Sequence, residues 1–260
     1  MEQTYIEIGD HCVLISSVSK VLMRWVKEYF PAKEQAHKEV DLTVNLADGY
    51  GMPFINYDVH ISTNETSIIY QRADYELLVN PTYNHAIIAV YDELALRHAL
   101  HNLYSAFIVH HKWGLMVHSS CVAHNGQAYI FSGQSGAGKS TAAKLSMPRP
   151  LLSDEATLIK ISDSGIRVVN SPFRSEFMEA YQDVPLPLAG IYFLNQSLDI
   201  KAIPLKKSDA LIGMIDKVFY WQHDEQETVK LLEMCKRLVV QTSIHNMYFQ
   251  KNNRFWEVIV

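Results

Sequence analysis

The chain contains 260 residues, of which 48% are hydrophobic and 20% are charged, and its formal net charge is −5 at neutral pH. This composition is typical of a folded globular protein, and it argues against extensive disorder, a fibrous architecture or a repeat array. The mild acidity gives no reason to expect a nucleic-acid partner, because proteins that bind the phosphate backbone usually present a basic surface.

The length favours two modest domains, which we place at residues 1–112 and 113–260. Cys12, Cys121 and Cys235 are far apart and form no Cys-x-x-Cys motif, so neither a disulfide framework nor a structural zinc site is expected. The first residues do not resemble a secretory signal, and no apolar stretch approaches the ~20 residues that span a bilayer. We therefore expect a cytoplasmic protein without a membrane partner, and the sequence leaves a homo-oligomer open.

The first domain is predicted to be small, β-rich and of the α+β class. Apolar residues at helical spacing predict a helix that starts at Lys20 and stops at Pro31, and a longer helix from Tyr91 to His110. Alternation of apolar and polar residues predicts short strands between them. The predicted strands are Tyr5–Ile8, Val40–Leu46, Tyr57–Ile61, Thr66–Tyr70 and Tyr75–Val79.

From residue 113 onward, glycine punctuation and an alternation of strands and helices predict an α/β domain. Two strands, Met116–Val122 and Ala128–Phe131, flank the sequence His124-Asn-Gly-Gln, and Asn-Gly is a strong hairpin signal. A helix is predicted from Lys139 to about Met147, and residues 151–155 are predicted to return as a strand.

The sequence Gly-Gln-Ser-Gly-Ala-Gly-Lys-Ser at residues 133–140 follows an apolar strand and precedes a helical segment, which is the context of a phosphate-binding P-loop. Its glycines let successive amides converge on a phosphate, while the helix N-terminus adds its dipole. Lys139 is expected against the β- and γ-phosphates, and the Ser140 hydroxyl is expected to ligate Mg²⁺. The predicted nucleotide-binding residues are Gly133, Ser135, Gly136, Ala137, Gly138, Lys139, Ser140 and Thr141.

An acidic pair, Asp154-Glu155, follows Lys139 after one short helix. In the common P-loop NTPases the acidic residue that assists magnesium ends a different strand, usually many tens of residues downstream. We therefore expect a less common architecture, in which the pair lies on a strand packed directly beside the loop. The pair suggests divided roles, with one carboxylate taking a proton from an attacking hydroxyl and the other holding the metal.

These residues resemble the HPr kinase/phosphorylase family, which is related in fold to the ATP-dependent phosphoenolpyruvate carboxykinases. The resemblance covers residues 113–260 and implies a P-loop domain with a mixed sheet that binds ATP and Mg²⁺. It is strong in GLMVHSSCVAHNGQAYIFSGQSGAGKSTAAKL and LLSDEATLI, and weaker in NSPFRSEF, AIPLKKSDALIGMI and MYFQKNNRFWEVI.

The resemblance also implies roles for individual residues. Asp154 matches the general base that acts on a serine hydroxyl, and Glu155 matches its acidic neighbour near the metal, which Ser140 also ligates. His118 matches a histidine that the family keeps beside the phosphate site. The catalytic residues implied are therefore Asp154, His118 and Lys139.

The chain departs from true HPr kinases in three ways. They carry Asp-Asp where this chain has Asp154-Glu155, and no match to their signature segment for the reverse dephosphorylation is found between Ser171 and Tyr192. The N-terminal domain also differs, so neither phosphorylase activity nor HPr as substrate is expected. The two-domain arrangement is instead similar to kinases that phosphorylate a serine of lasso-peptide precursors, which implies a peptide substrate recognised by the N-terminal domain.

Two alternatives stay open: a kinase for a free small molecule such as an amino acid or a sugar, and a non-catalytic ATP-dependent binding module. Arg174 is either a contact for a phosphate or an acidic peptide terminus, or a surface ion pair. Lys206 and Lys207 either face the phosphates or form a solvated charge pair. No compact ligand pattern predicts a zinc site among the histidines His85, His98, His101, His110 and His111.

Overall fold

The computed structural model describes residues 1–174 and 185–259. The chain divides into two compact units, which we call unit 1 (Met1–His111 and Tyr220–Thr228) and unit 2 (Lys112–Phe219 and Val229–Val260). Each unit combines helices with a mixed sheet, so the protein is of the mixed α/β class. Among the described residues, no helix has the length and apolar character needed to cross a membrane.

Unit 1 is built on an eight-stranded sheet with the order β3-β1-β2-β4-β8-β7-β6-β5. The pairs β2–β4 and β4–β8 are parallel and the others are antiparallel. The elements are β1 (Glu2–Ile8), β2 (His11–Ser17), α1 (Lys20–Tyr29), β3 (Ala32–Lys33), β4 (Leu42–Asp48), β5 (His60–Thr63), β6 (Ile68–Gln71), β7 (Tyr75–Val79), β8 (His85–Val90) and α2 (Glu93–His110).

Both predicted helices of unit 1 are confirmed, and side-chain caps account for where they begin. Ser19 accepts a hydrogen bond from the Leu22 amide at the start of α1, and Asp92 accepts one from the Ala95 amide at the start of α2. Helix α2 is buried along most of its length, which makes it the centre of the core of unit 1.

The predicted strand Tyr75–Val79 is confirmed, whereas the prediction for Tyr57–Ile61 is wrong in its bounds because β5 begins at His60. The turn that follows β5 has its own local signal. Asn64 accepts hydrogen bonds from the Thr66 and Ser67 amides, so its side chain fixes the turn and the strands on either side take their register from it.

Unit 2 contains a second mixed sheet, in which two long strands, β9 and β14, take part in several pairings. The sheet has the order β10-β9-β12-β13-β14-β16-β15, with β11 paired to β9 and β10 also paired to β14. The elements are β9 (Gly114–His124), β10 (Gln127–Ser132), α3 (Lys139–Leu145), β11 (Leu151–Ser153), β12 (Ala156–Ser162), β13 (Gly165–Val169), β14 (Leu186–Gln196), β15 (Lys201–Pro204), α4 (Lys207–Ile215), α5 (Glu225–Gln241), β16 (Ser243–Phe249) and a 3₁₀ helix (Asn253–Val258). The residues of α5 up to Thr228 are counted with unit 1.

The predicted hairpin at His124 to Gln127 is confirmed, and it joins β9 to β10. Asn125 and Gly126 have φ angles of 49° and 72°, the left-handed region that a two-residue hairpin loop of this kind requires. The antiparallel register places Ser132, the last residue of β10, opposite Ser119 of β9. The loop that follows Ser132 therefore starts level with the middle of β9.

The C-terminal 3₁₀ helix packs against α3. Phe255 and Trp256 are buried in one apolar cluster with Ala142 of α3 and Phe249 of β16. The Trp256 indole donates a hydrogen bond to Ser146 Oγ, which in turn donates to the Ala142 carbonyl. The far end of the helix is thereby fixed to the core of unit 2.

Candidate functional site

The glycine-rich segment predicted as a phosphate site forms a loop of residues 133–138 between β10 and α3. Gly138 is the N-cap of α3 with φ 108°, and a Cβ on it would lie 2.8 Å from the Phe249 ring. Gly136 is also left-handed, with φ 77°. The loop therefore depends on glycine at position 138 for two reasons, backbone angle and close packing.

The loop is closed by hydrogen bonds to its own carbonyls. The Ala137 amide donates to the Gln134 carbonyl at 3.1 Å, and Gln196 of β14 donates to the Gly136 carbonyl at 2.8 Å. Lys139 Nζ donates to the carbonyls of Gly133 and Gln134 at 3.1 and 3.2 Å. The ammonium group thus lies inside the curve of the loop, where an anion bound by the loop amides would meet it.

The surroundings of the Lys139 side chain disfavour its positive charge. Its residue is only 9% exposed, and this burial, together with the positive charge of Lys217, lowers its pKa below the usual 10.5. Its carbonyl accepts a hydrogen bond from Ser120 Oγ of β9 at 3.0 Å, which fixes the first turn of α3 against the sheet. A bound anion would favour the charged form of Lys139, and so would offset both the cost of burying the ammonium group and its repulsion by Lys217.

His118 lies on β9, two residues before Ser120, so the alternation of a strand directs both side chains toward the face that carries α3. The His118 carbonyl accepts a hydrogen bond from Ser132 Oγ at 2.8 Å, and its ring lies 5.5 Å from the Phe219 ring. Burial, followed by the charges of Lys139 and Lys217, lowers its pKa from 6.5 to about 4. His118 is therefore a neutral imidazole at neutral pH.

This pKa predicts a pH dependence of stability. Below pH 6.5 the unfolded chain binds a proton at His118 that the folded chain does not bind until about pH 4, so stability falls as pH is lowered through that window. In His118→Gln, the slope of unfolding free energy against pH should be shallower by up to about 1.4 kcal/mol per pH unit. Urea unfolding at pH values across this window measures the slope, and an unchanged slope in His118→Gln would contradict the assignment.

Asp154 and Glu155 form the short connection between β11 and β12, and both of these strands pair with β9. Ser153 lies opposite Cys121 and Ala156 opposite His118, while the Ser119 amide donates to the Glu155 carbonyl at 3.0 Å. The acidic pair therefore lies opposite Ser119 and Ser120.

The expectation that the acidic strand packs directly beside the loop is wrong, because β9 lies between β10 and β11. Ser119 has Ser132 across one edge and Glu155 across the other. Adjacent strands lie ~4.8 Å apart, so the backbones at Ser132 and Glu155 are separated by about 10 Å. A bridging group such as a phosphate chain with its metal has the length to span this distance.

Hydrogen bonds between hydroxyl groups fix the residues on both sides of the acidic connection. Ser119 Oγ donates to Thr157 Oγ1 at 2.6 Å, and Ser153 and Thr157 share a hydrogen bond of 2.5 Å between their hydroxyls. All three residues are fully buried. The backbone on both sides of Asp154 and Glu155 is therefore rigidly anchored to β9.

Arg174 is buried beside Asp154, so the alternative of a surface ion pair is wrong. The two residues are 4% and 3% exposed, and Arg174 donates to the carbonyls of Ser171 and Leu152 at 2.9 and 3.0 Å. Burial lowers the pKa of Arg174, and the negative charge of Asp154 opposes this. Residues 175–184, which belong to the segment between Ser171 and Tyr192 that lacks the phosphorylase signature, lie outside the described residues.

A metal ion at this site would need ligands beyond the protein side chains. Ser140 is exposed in the first turn of α3, and Glu155 is partly buried across β9. Within residues 1–174 and 185–259, no three or more His, Cys, Asp or Glu side chains are grouped to hold a metal. Mg²⁺ is commonly held by one or two side-chain oxygens together with phosphate and water oxygens, and Ser140 and Glu155 are the side chains here that would supply such oxygens.

Two open grooves border the loop, one at its beginning and one at its end. The first, which we call the Lys217 groove, is lined by loop residues 133–137 together with Asn195, Asn246 and Lys217. The second, the Phe249 groove, is lined by Gly138 and Thr141 together with Ser197, Leu198 and Phe249 to Lys251. Gln196 borders both grooves and holds the Gly136 carbonyl between them.

Lys207 does not form a solvated charge pair with Lys206 or face the loop. Its ammonium donates to the carbonyls of Val239 and Thr242, so it caps the carboxyl end of α5, where a cation is favourable. Lys206 is exposed at the N-cap of α4 and makes no side-chain cap hydrogen bond.

The sequence did not single out Lys217, Gln196 or Phe249 as parts of the site. Each lies far from the glycine motif in sequence. Gln196 reaches it through the pairing of β10 with β14, and Phe249 through the pairing of β14 with β16. Lys217 reaches it through the hydrogen bonds of residues 217–219 to β9. A lone Lys, Gln or Phe carries no motif, so only the topology could reveal them.

Fold and site together define a mixed α/β protein in which a glycine-rich loop and an acidic connection lie on opposite edges of one strand. The family model described as "ScmC: SynChlorMet cassette protein ScmC" matches residues 71–259, and the chain belongs to this family. The match includes every site residue described above. No curated protein matches the chain.

Proposed function

We propose that the chain is an ATP-dependent kinase that transfers the γ-phosphate to a serine hydroxyl of a peptide, and that unit 2 has the HPr-kinase-like P-loop fold. The main support for this proposal is the way in which β9 pairs with its neighbours. The glycine-rich loop follows the strand at one edge of β9, and Asp154-Glu155 lie at the other edge. The family description names a cassette and no reaction, so the proposal rests on the residues and their arrangement.

In this proposal the loop amides and Lys139 bind the β- and γ-phosphates. Lys139 already lies within the loop, and exchanging its two carbonyl partners for phosphate oxygens replaces neutral hydrogen bonds with charge-assisted ones. Phosphoryl transfer needs mainly positioning and charge stabilisation, which a preorganised loop with a buried cation supplies. The Phe249 groove, which is lined by Thr141, takes the nucleoside.

Asp154 is the proposed general base, which accepts the proton of the attacking serine hydroxyl. It is buried, its backbone is anchored next to the Ser119–Thr157 hydroxyl network, and the buried Arg174 lies beside it. Ser140 and Glu155 would hold Mg²⁺, which when bound neutralises phosphate charge. His118, kept neutral by its environment, can donate a hydrogen bond to phosphate without adding another buried charge.

A peptide acceptor is favoured over a small molecule because unit 1 offers exposed sheet edges. Its sheet ends in β3, of two residues, and β5, of four, whose side chains are mostly exposed. An edge strand of this kind can pair with an extended peptide. The small-molecule kinase remains the second candidate, and it would have no need for such an edge.

The test is to incubate the full chain with Mg-ATP and a set of serine-containing peptides, free amino acids and sugars, and to analyse every acceptor by mass spectrometry. Addition of one phosphoryl group to a peptide serine is expected. Phosphorylation of a free amino acid or sugar instead would support the small-molecule alternative. Tight nucleotide binding with no acceptor modified would support the binding module and overturn the kinase proposal.

A further inference from the structure

We propose that Lys217 is a second phosphate-binding cation, which contacts the terminal phosphate of the nucleotide on the side of the loop opposite the nucleoside. This inference rests on the proposed function and adds a residue that no motif marks.

The backbone around Lys217 is fixed to β9 where β10 ends. The His118 amide donates to the Lys217 carbonyl at 2.8 Å, and the Phe219 amide donates to the Met116 carbonyl at 2.9 Å. Because the amides of successive strand residues point to opposite edges, and that of Ser119 points to Glu155, the His118 amide points to the β10 edge. Lys217 therefore continues the position of β10 beyond Ser132, next to the first residues of the loop.

The side chain of Lys217 borders the phosphate loop. It lines the Lys217 groove with Gly133 to Ala137, and only 12% of it is exposed. Its carboxylate partner, Asp216, is 70% exposed, and a surface pair of this kind is weak.

Two ammonium groups around one loop raise the free energy of the protein, and an anion between them lowers it. The Lys217 groove contains the beginning of the loop, whereas the Phe249 groove contains its end at Gly138 and Thr141. In P-loops the lysine reaches the β- and γ-phosphates, and Lys139 Nζ lies at the carbonyls of Gly133 and Gln134, at the beginning of the loop. A cation in the Lys217 groove therefore meets the γ-phosphate and has no partner in a diphosphate.

The test compares binding of ADP and of a non-hydrolysable ATP analogue, both with Mg²⁺, by isothermal titration calorimetry. Lys217→Met keeps the length of the side chain and removes the charge. It should weaken binding of the ATP analogue about 10- to 100-fold and that of ADP less than about threefold, since one charge-assisted hydrogen bond to the γ-phosphate is lost. The exposed Lys206→Met serves as the matched control and should bind both nucleotides like the wild type.

Equal weakening for both nucleotides, or no weakening, would overturn the role of Lys217 while leaving the kinase proposal standing. A wild-type protein that binds neither nucleotide would instead overturn the proposed function itself. Should Lys217→Met unfold, Lys217→Gln and Lys217→Arg decide the question. Gln should show the selective loss for the ATP analogue, Arg should restore most of the affinity, and any other pattern in these two variants contradicts the inference.

Discussion

Asp154→Asn is expected to reduce phosphoryl transfer roughly 100- to 10,000-fold, the range that a general base contributes. Its affinity for Mg-ATP should change less than about threefold, because the amide removes proton acceptance without removing the loop or Lys139. The variant should therefore separate nucleotide binding from chemistry. A binding module would show no transfer in either form of the protein.

The same substitution should lower stability, since Asp154 and Arg174 are both buried and the aspartate charge favours the charged arginine. Replacing the carboxylate with a neutral amide weakens a charge-assisted interaction, and we expect a loss of roughly 1 to 3 kcal/mol in unfolding free energy. Transfer must therefore be assayed at a temperature where urea unfolding shows the variant to be fully folded.

The matched control is Asp163→Asn, an identical change at a fully exposed carboxylate in the turn between β12 and β13. Transfer by this control should stay within about twofold of wild type, as expected for a surface position. Transfer by folded Asp154→Asn at the wild-type rate would eliminate Asp154 as the base. Parallel loss of nucleotide affinity and transfer would indicate that Asp154 only supports the site structurally.

The local elements of the fold followed from the sequence where a specific side chain fixes them. The hairpin at Asn125-Gly126, the cap at Asp92 and the helix that starts at Lys20 all carry local signals, and all three are present. Strand β2 carries no such signal. It pairs with β4 in parallel and is buried on both faces, so its apolar residues do not alternate.

Strand β8 was missed for a related reason. Ile87 is 45% exposed and lies between the buried Ala86 and Ile88. Because an apolar residue occupies this outward position, the alternation of apolar and polar residues that marks a strand is absent here. The sheet of unit 1 is accordingly larger than the five strands and the small domain that alternation predicted.

The phosphate loop and the acidic pair could be predicted because both are continuous in sequence. Their relation could not, because the position of β9 between them depends on the order of strands and not on spacing along the chain. The surroundings of Arg174 and Lys207 were missed for the same reason. Whether a cation pairs with Asp154 or caps α5 is decided by which backbone carbonyls the fold brings within reach.

Lys139→Met should abolish measurable transfer and weaken Mg-ATP binding more than about 100-fold, because the cation nearest the phosphates is lost. The effect of the same substitution on the stability of the nucleotide-free protein is expected to be small. Lys139 is 9% exposed, and burial and Lys217 both disfavour its charge. Methionine is apolar and similar in length, so it removes these costs together with the hydrogen bonds to Gly133 and Gln134. We expect an unfolding free energy within about 1 kcal/mol of wild type.

Urea unfolding with and without Mg-ATP tests both parts of this expectation. At a nucleotide concentration of about 100 times the dissociation constant, binding should stabilise the wild type by about 2.7 kcal/mol. Lys139→Met should gain almost nothing, whereas Lys144→Met, at an exposed position of the same helix, should gain as much as wild type. Full stabilisation of Lys139→Met by Mg-ATP would mean that the loop does not bind the phosphates, and the proposed nucleotide site would have to lie elsewhere in the chain.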